Sequence, residues 1–360
     1  MSALTTPVPT TDSHMYRTMR RQPDDLRRLL ADGWGAAGEA ADLLAGVERV
    51  FLAGIGTSYH AALVGAWLLG AAAVDARAVS SFDFAHYPEQ YRVGSRDAVI
   101  VMAHTGVKRF SAASLQIAAA ARATILSVGS QTAEHPGSQL ILRTVEREQS
   151  AAYTASHLAA MTVLAQVAAE LGGRNEAAAV AGFREGLAAL PDQVAGVLDR
   201  EAEIVPVAQD AVSRRIYATG AGPNEVSALE LVIKAREAAY ATIDALPLEQ
   251  FLHGPMVAVN ADDQAVVIHT PGAAATRVAE VAAVLNGIGA RLWLVGEPVA
   301  SLPDVTTFAL PAIPEILSPL LTVVPMQMFA YQMATLKGLN PDTFRRDNPR
   351  YAEAFGLLKL

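Results

Sequence analysis

The chain has 360 residues, 52% of them hydrophobic and 18% charged, with 28 Lys and Arg against 36 Asp and Glu and a formal net charge of −8. That composition excludes a disordered protein, and the acidic balance argues against nucleic acid or an anionic membrane as the main partner. There is no cysteine, which excludes disulfides, thiolate metal sites and a cysteine nucleophile, a cysteine-dependent glutaminase step included.

In chain order, Met1–His14 is polar and rich in Thr and Pro. It lacks the apolar core of a secretory signal, so a cytoplasmic enzyme or sensor is the starting expectation. Arg49–Ala53 reads as a short strand ending in Gly54-Ile-Gly56-Thr57-Ser58, followed by an apolar helix from about Tyr59 to Leu69. Asp97–Ala103 is a second apolar strand that stops at His104-Thr105-Gly106; a helix over about 111–122 follows, then a strand over Ala123–Val128. Fully apolar strands alternating with helices predict a parallel sheet covered on both faces, a three-layer α/β fold. Two apolar stretches raise the membrane question. Ala61–Val74 has 14 residues, and Leu317–Leu336 is interrupted by Pro319, Pro325, Gln327 and Gln332. Neither gives an uninterrupted run of about 20 apolar residues, so both are read as buried helices.

The order then repeats. Arg49–Gly56 (RVFLAGIG) matches Arg215–Gly222 (RIYATGAG), and Asp97–Gly106 matches Asp263–Gly272 at the same offset of 166 residues. Ala121–Val128 matches Ala290–Gly296 at a slightly larger offset. Three blocks in one order predict two homologous α/β domains, at about 25–195 and 200–340, with 185–203 as the bridge and 341–360 as a C-terminal tail. Neither Gly54-Ile-Gly56 nor Gly220-Ala-Gly222 completes G-x-G-x-x-G, because Tyr59 and Glu225 hold the third glycine position, so no dinucleotide cofactor is expected. The eight histidines form no HxH or HExxH pair, and no metal or other cofactor is expected either. No G-x-S-x-G elbow is present.

Gly56-Thr57-Ser58-Tyr59-His60, the Ala103-His-Thr-Gly106 turn, the helix Leu229–Tyr240 and Leu252-His253-Gly254-Pro255 together resemble the tandem sugar isomerase (SIS) family. The likeness runs from about residue 15 to about 345, and Met15–Pro23 resembles the family's opening helix. The resemblance implies two tandem SIS domains related to the isomerase half of glucosamine-6-phosphate synthase and to amino-sugar phosphate deaminases and fructosamine-type deglycases. It implies a small-molecule sugar phosphate or amino-sugar phosphate as ligand, and a homodimer sharing its active sites. With no cysteine and no extra N-terminal domain, ammonia release from glutamine is not expected.

Moving a carbonyl between C1 and C2 needs a proton-shuttling base, a ring-opening group and a clamp for the anionic tail. Glu230, Lys234 and Glu237 lie at i, i+4 and i+7 on one helix face. Spacing alone also fits a solvated ion-pair stripe; the resemblance makes Glu237 the base, with Glu230 and Lys234 at family positions beside it. His253, followed by Gly-Pro, sits in a turn, and an imidazole is a side chain suited to proton relay at neutral pH. It is the ring-opening candidate, the alternative being a histidine that only braces its loop. Gly56, Thr57 and Ser58 at a helix start offer a phosphate cradle, with His60 structural. The second cradle wall departs from the family's Ser-Gln-Ser-Gly-Glu-Thr and reads Ala103-His104-Thr105-Gly106-Val107-Lys108. Thr105 keeps a hydroxyl, Lys108 brings a charge suited to phosphate or to a carboxylate, and His104 either touches substrate or caps the turn. Tyr153 and Thr154 align with the family's Ser-Thr pair; Tyr153 either reshapes the pocket or caps a helix. In the tail Arg345 matches the family's arginine, whereas the family's lysine falls near Pro349. Arg350 cannot form a Schiff base, and Lys359 is the lysine within reach.

These residues predict a phosphosugar or amino-sugar-phosphate isomerase or deaminase. A deglycase and a non-catalytic sugar-phosphate sensor are the alternatives; the acidic charge disfavours a DNA-binding regulator, and retention of both Glu237 and His253 favours turnover.

Overall fold

The central strands carry apolar runs because each is covered on both faces. In the structure, a computed structural model that describes residues 12–358, β1 (Val50–Gly54), β3 (Ala98–Met102) and β8 (Gln264–His269) are buried along their whole length. The helices and strands run α1 (His14–Asp32), α2 (Trp34–Leu44), β1, α3 (Thr57–Ala71), β2 (Ala76–Ser80), α4 (Ser81–His86), α5 (Pro88–Tyr91), β3, α6 (Arg109–Ala120), β4 (Thr124–Gly129), β5 (Leu140–Arg143) and α7 (Ala155–Arg174). Then come α8 (Phe183–Asp199), α9 (Glu201–Ala211), β6 (Ile216–Gly220), α10 (Glu225–Ala239), β7 (Ile243–Pro247), α11 (Leu248–Leu252), β8, α12 (Ala275–Ile288), β9 (Arg291–Gly296), β10 (Thr306–Ala309), α13 (Pro319–Leu336) and α14 (Pro349–Gly356). The chain forms two compact units: Gln22–Glu148 with Ala155–Asp192, and residues 12–21, Gln149–Thr154 and 193–358.

The first unit holds a five-stranded parallel sheet in the order β2-β1-β3-β4-β5, and the second a parallel sheet in the order β10-β9-β8-β6-β7. Read from the other edge, the second order is the first with every strand number raised by five. The internal repeat is therefore a repeat of topology, and the chain consists of two tandem three-layer α/β domains.

The repeat extends to single side chains. Arg49 and Asp97 form a bidentate pair, with Nε to Oδ1 at 2.9 Å and Nη2 to Oδ2 at 2.7 Å; Arg215 and Asp263, 166 residues on, do the same at 3.1 and 3.0 Å. Each arginine ties the start of a central strand to the segment before its neighbour and stacks over a ring two residues on, Phe51 or Tyr217. A Cβ on Gly54 would lie 2.5 Å from the Ser58 carbonyl oxygen, and one on Gly220 would lie 2.6 Å from that of Asn224. Only glycine lets each strand turn this sharply into its helix. The third block is shifted by one more residue, since Thr124 N–H donates to Asp97 O and Arg291 N–H to Asp263 O, an offset of 167.

The helices cover the sheets. In the first unit α3 packs on α7, close enough that a Cβ on Gly65 would meet Leu52 and Leu164 at 2.6 and 2.8 Å. In the second, α13 packs on α10, and Phe329 stacks on Trp293 of β9 at 5.2 Å between ring centroids. The segment Glu315–Leu336 is long and apolar enough to cross a membrane by length and composition, but 94% of its apolar window is buried inside the protein. Helix α3 begins at Thr57, two residues before the position expected from apolar periodicity, because Gly56 at φ +60° already turns the chain into it. The segment 185–203 is helical, as parts of α8 and α9.

Candidate active site

In the first unit the strand order reverses between β1 and β3, and the turns leaving these two strands flank that switch point, where open α/β sheets bind ligands. The β1 turn carries Gly56, Thr57 and Ser58. Gly56 is exposed, and Thr57 and Ser58 are half-buried at the positive end of the 15-residue helix α3. Ser58 N–H donates to Ile55 O at 3.2 Å, so the turn offers an anion the helix terminus and the two hydroxyls rather than that amide. His60 is buried one turn along.

The β3 turn runs from Ala103 to Lys108. Gly106 takes φ +91°, and its N–H closes on Ala103 O at 3.2 Å. Thr105 is half-buried and Lys108 exposed. Lys108 leads into α6, where the Ser111 hydroxyl accepts its N–H at 2.8 Å. His104 is turned toward the protein: its Nε2 accepts the Glu148 N–H at 3.3 Å, and its carbonyl accepts Ser130 N–H at 2.9 Å. Burial lowers the pKa of this imidazole, with Glu148 opposing and Arg147 adding to the shift. The equivalents of Thr57 and Thr105 in the second unit are Pro223 and Pro271. Neither has an N–H or a hydroxyl, and there Ala273 N–H is occupied by the Glu315 carboxylate at 3.1 Å. At these two positions the first repeat has threonine donors and the second has none.

In the second unit α10 carries the charged stripe. Glu230 and Lys234 are buried (0% and 1% side-chain exposure), while Glu237 is 24% exposed. The Lys234 ammonium lies 2.6 Å from Glu237 Oε2 and 3.5 Å from Glu230 Oε1. This is not a solvated stripe: a buried cation is shared by two carboxylates, one deep and one open to solvent. Tyr240, in the left-handed conformation, ends the helix one turn after Glu237.

His253 follows α11, on a loop whose Gly254 at φ +127° leaves little choice of residue. Its ring is 76% exposed and pairs with Glu249 at 3.3 Å. Glu249 is itself held by Arg277 at 2.6 Å, which keeps its carboxyl below the usual range. Tyr153 is half-buried. Thr154 is fully buried, its hydroxyl 3.1 Å from that of Thr18 and its carbonyl accepting from Gln327 at 3.3 Å. In the tail, the Arg345 guanidinium is stacked over Tyr240 and Tyr351, and Arg350 is exposed on α14. Lys359 lies outside the described residues. Sequence reasoning missed two groups behind the β3 turn, Glu148 and His135. Glu148 reads as one charge in a charged run, and His135 as the residue before the Pro136-Gly137 turn.

The model of the SIS domain matches residues 43–170 and again 211–337. The chain belongs to the SIS domain family. Relatives include the glutamine–fructose-6-phosphate aminotransferase (isomerizing) of Gloeobacter violaceus, 30% identical over 346 residues, and that of Pyrococcus horikoshii, 26% identical over 335. Each match covers 91% of this chain and 56% of the relative, so the chain spans about half the length of these curated relatives. Solved structures of similar fold include the C-terminal domain of glucosamine-fructose-6-phosphate aminotransferase from Francisella tularensis, with a TM-score of 0.81 at 17% identity, covering 91% of this chain and 97% of that one. The tagatose-6-phosphate ketose/aldose isomerase of Escherichia coli superimposes with a TM-score of 0.78 at 18% identity, covering 94% and 97%. The glucosamine-6-phosphate deaminase of Thermotoga maritima does so with 0.74 at 18%, covering 92% and 97%.

Proposed function

We propose that this SIS protein is a sugar-phosphate or amino-sugar-phosphate isomerase or deaminase that works by proton transfer between C1 and C2. The observation that carries the reading is the Glu230–Lys234–Glu237 cluster. A buried ammonium 2.6 Å from one oxygen of a partly exposed carboxylate orients that carboxylate while leaving it open to a substrate. Glu237 takes the proton from the carbon next to the carbonyl of the open-chain sugar, giving an enediol or enolamine, and returns it to the neighbouring carbon. For an amino sugar the resulting imine adds water and releases ammonia. His253 relays the proton that opens the ring, and its exposure suits a residue lent to the site of a neighbouring subunit in a homodimer. Thr57, Ser58 and Thr105 hold the anionic tail, with Gly56 and Gly106 shaping their turns. The exposed ammonium of Lys108 favours, as a second reading, a deglycase substrate bearing a carboxylate as well as a phosphate.

The test is proton exchange in D2O followed by NMR, with fructose 6-phosphate, glucosamine 6-phosphate, galactosamine 6-phosphate, tagatose 6-phosphate and a fructosamine 6-phosphate. Deuterium entering C1 or C2 of one of them, with a loss of about 10²–10⁴-fold in Glu237→Gln, supports the reading and names the substrate class. Binding without exchange for every sugar overturns it in favour of a sensor.

A further inference from the structure

The β3 turn lacks the family's first serine, yet it is tied down from behind by groups that no step above uses. Ser130 N–H donates to His104 O at 2.9 Å, and Val107 N–H donates to Glu134 O at 3.4 Å. His135, 3% exposed, has Nε2 at 3.0 Å from Ala103 O. A carbonyl can only accept, so Nε2 carries the proton and the ring is the Nε2–H tautomer. Its other nitrogen, Nδ1, is buried with no hydrogen-bond partner among the described residues. The chain has been shaped around this ring: a Cβ on Gly129 at the end of β4 would lie 2.7 Å from Nε2. The loop that carries it is fixed in turn by Arg143 of β5, whose Nη1 donates to Ser130 O at 3.0 Å and also to Ala133 O.

A buried imidazole with one nitrogen unsatisfied is costly, and its single bond goes to the first residue of the candidate anion turn. We propose that His135 is a positioning residue for the β3 wall of the anion cradle: by holding the Ala103 carbonyl it fixes the turn so that Thr105 faces the substrate's anionic group. This rests on the reading of Gly56–Ser58 and Ala103–Lys108 as that cradle. Protonation of Nδ1 would bury an unpaired cation beside Arg143, and burial accordingly lowers the pKa of His135, opposed by its bond to Ala103 and assisted by Arg143. The ring therefore works in its neutral form.

The test measures sulfate binding by calorimetry at pH 7.5 on the full chain. Sulfate is used because its charge does not change near neutrality. The proteins are the wild type, His135→Ala and His135→Gln, each checked by circular dichroism and thermal unfolding. Wild type is expected to bind. His135→Ala is expected to weaken binding by about tenfold, the effect of one net hydrogen bond, while His135→Gln, whose amide can donate to the same carbonyl, recovers to within about threefold. A folded His135→Ala with wild-type affinity overturns the proposal. If His135→Ala does not fold, His135→Gln decides against a folded His135→Leu: equal affinities overturn the proposal, and a tenfold advantage for Gln supports it. Failure of the wild type to bind sulfate overturns the cradle itself, and the proposal with it.

Discussion

The Lys234 ammonium is shared between two carboxylates of its own helix, 2.6 Å from Glu237 and 3.5 Å from Glu230, with Glu230 fully buried. Removing the cation takes the counter-charge from a buried carboxylate, and breaking a buried pair in this way costs about 3–5 kcal/mol. Lys234→Met is therefore expected to lower the unfolding free energy, measured by urea denaturation, by most of that amount. The double variant Lys234→Met/Glu230→Leu is expected to recover most of the loss, because both charges leave together. A single variant as stable as the wild type would contradict the geometry.

His253 and Glu237 are expected to separate kinetically. If His253 serves only ring opening, His253→Ala loses about 10²-fold or more of exchange on a sugar that is mainly cyclic. It keeps near-normal exchange on an analogue locked open-chain by removal of the ring-closing hydroxyl. Glu237→Gln loses both. Equal losses for both residues on both substrates would show that His253 acts on C1 and C2 directly.

Much of the fold is legible in the sequence, and the exceptions have physical causes. The central strands β1, β3, β4, β8 and β9 carry apolar runs because both faces are covered, and those runs are visible in the sequence. The edge strands β2, β5, β7 and β10 are only partly buried; residues such as Arg77 and Asp244 break their pattern, so nothing in it announces a strand. The charged stripe on α10 was visible from its spacing, but spacing cannot tell a solvated stripe from a buried one. That depends on α13 covering the helix from some 90 residues away in sequence. His135 was illegible for a related reason: its importance lies in a bond to Ala103, 32 residues earlier.

The repeated glycines make a stability prediction with an internal control. Gly54→Ala places a methyl 2.5 Å from the Ser58 carbonyl, backbone that cannot swing aside, and is expected to cost about 1–3 kcal/mol as overpacking. Gly196 lies exposed within α8, with nothing within 4 Å of its added Cβ. Gly196→Ala is expected to gain about 0.5–1 kcal/mol from helix propensity. Urea unfolding of the two variants checks both signs.

Stability is expected to respond to pH through the buried histidines. Burial lowers the pKa of both His104 and His135 below the ordinary imidazole value of about 6.5. Below pH 6.5 the unfolded chain therefore binds protons that the folded one refuses, and the unfolding free energy falls as pH falls. This contribution is complete above about pH 6.5 and is lost on the way down through the folded pKa values. A second loss follows at lower pH. Burial alone would raise the pKa of Asp263, but the Asn260 N–H and the Arg215 guanidinium outweigh it and hold the carboxyl below its usual range. Thermal unfolding from pH 8 to 4 is expected to show a plateau, then a decline that begins near pH 6.5 and is shallower in His135→Gln. A decline beginning only below pH 5 would contradict the assignment of neutral, buried imidazoles.

The tail meets the end of α10 through Arg345, whose guanidinium carbon lies 4.7 Å from the Tyr240 ring centroid and 4.1 Å from that of Tyr351. Arg345 adopts φ +60° to do so, so the backbone bears strain that the two stacked rings must offset. Tyr240 reports on the contact. Its pKa is raised, first by burial and then by Asp347, while Arg345 and Thr343 pull it down. Two outcomes of Arg345→Ala are therefore distinguishable. If the tail stays in place, Tyr240 loses a favourable cation and titrates higher still. If the stack is what holds the tail, burial and Asp347 leave with it and Tyr240 moves back toward 10. The second outcome is expected, with faster proteolysis after residue 341. Arg345→Lys is expected to behave in the same way, because an ammonium keeps the charge without the flat face that both rings stack on.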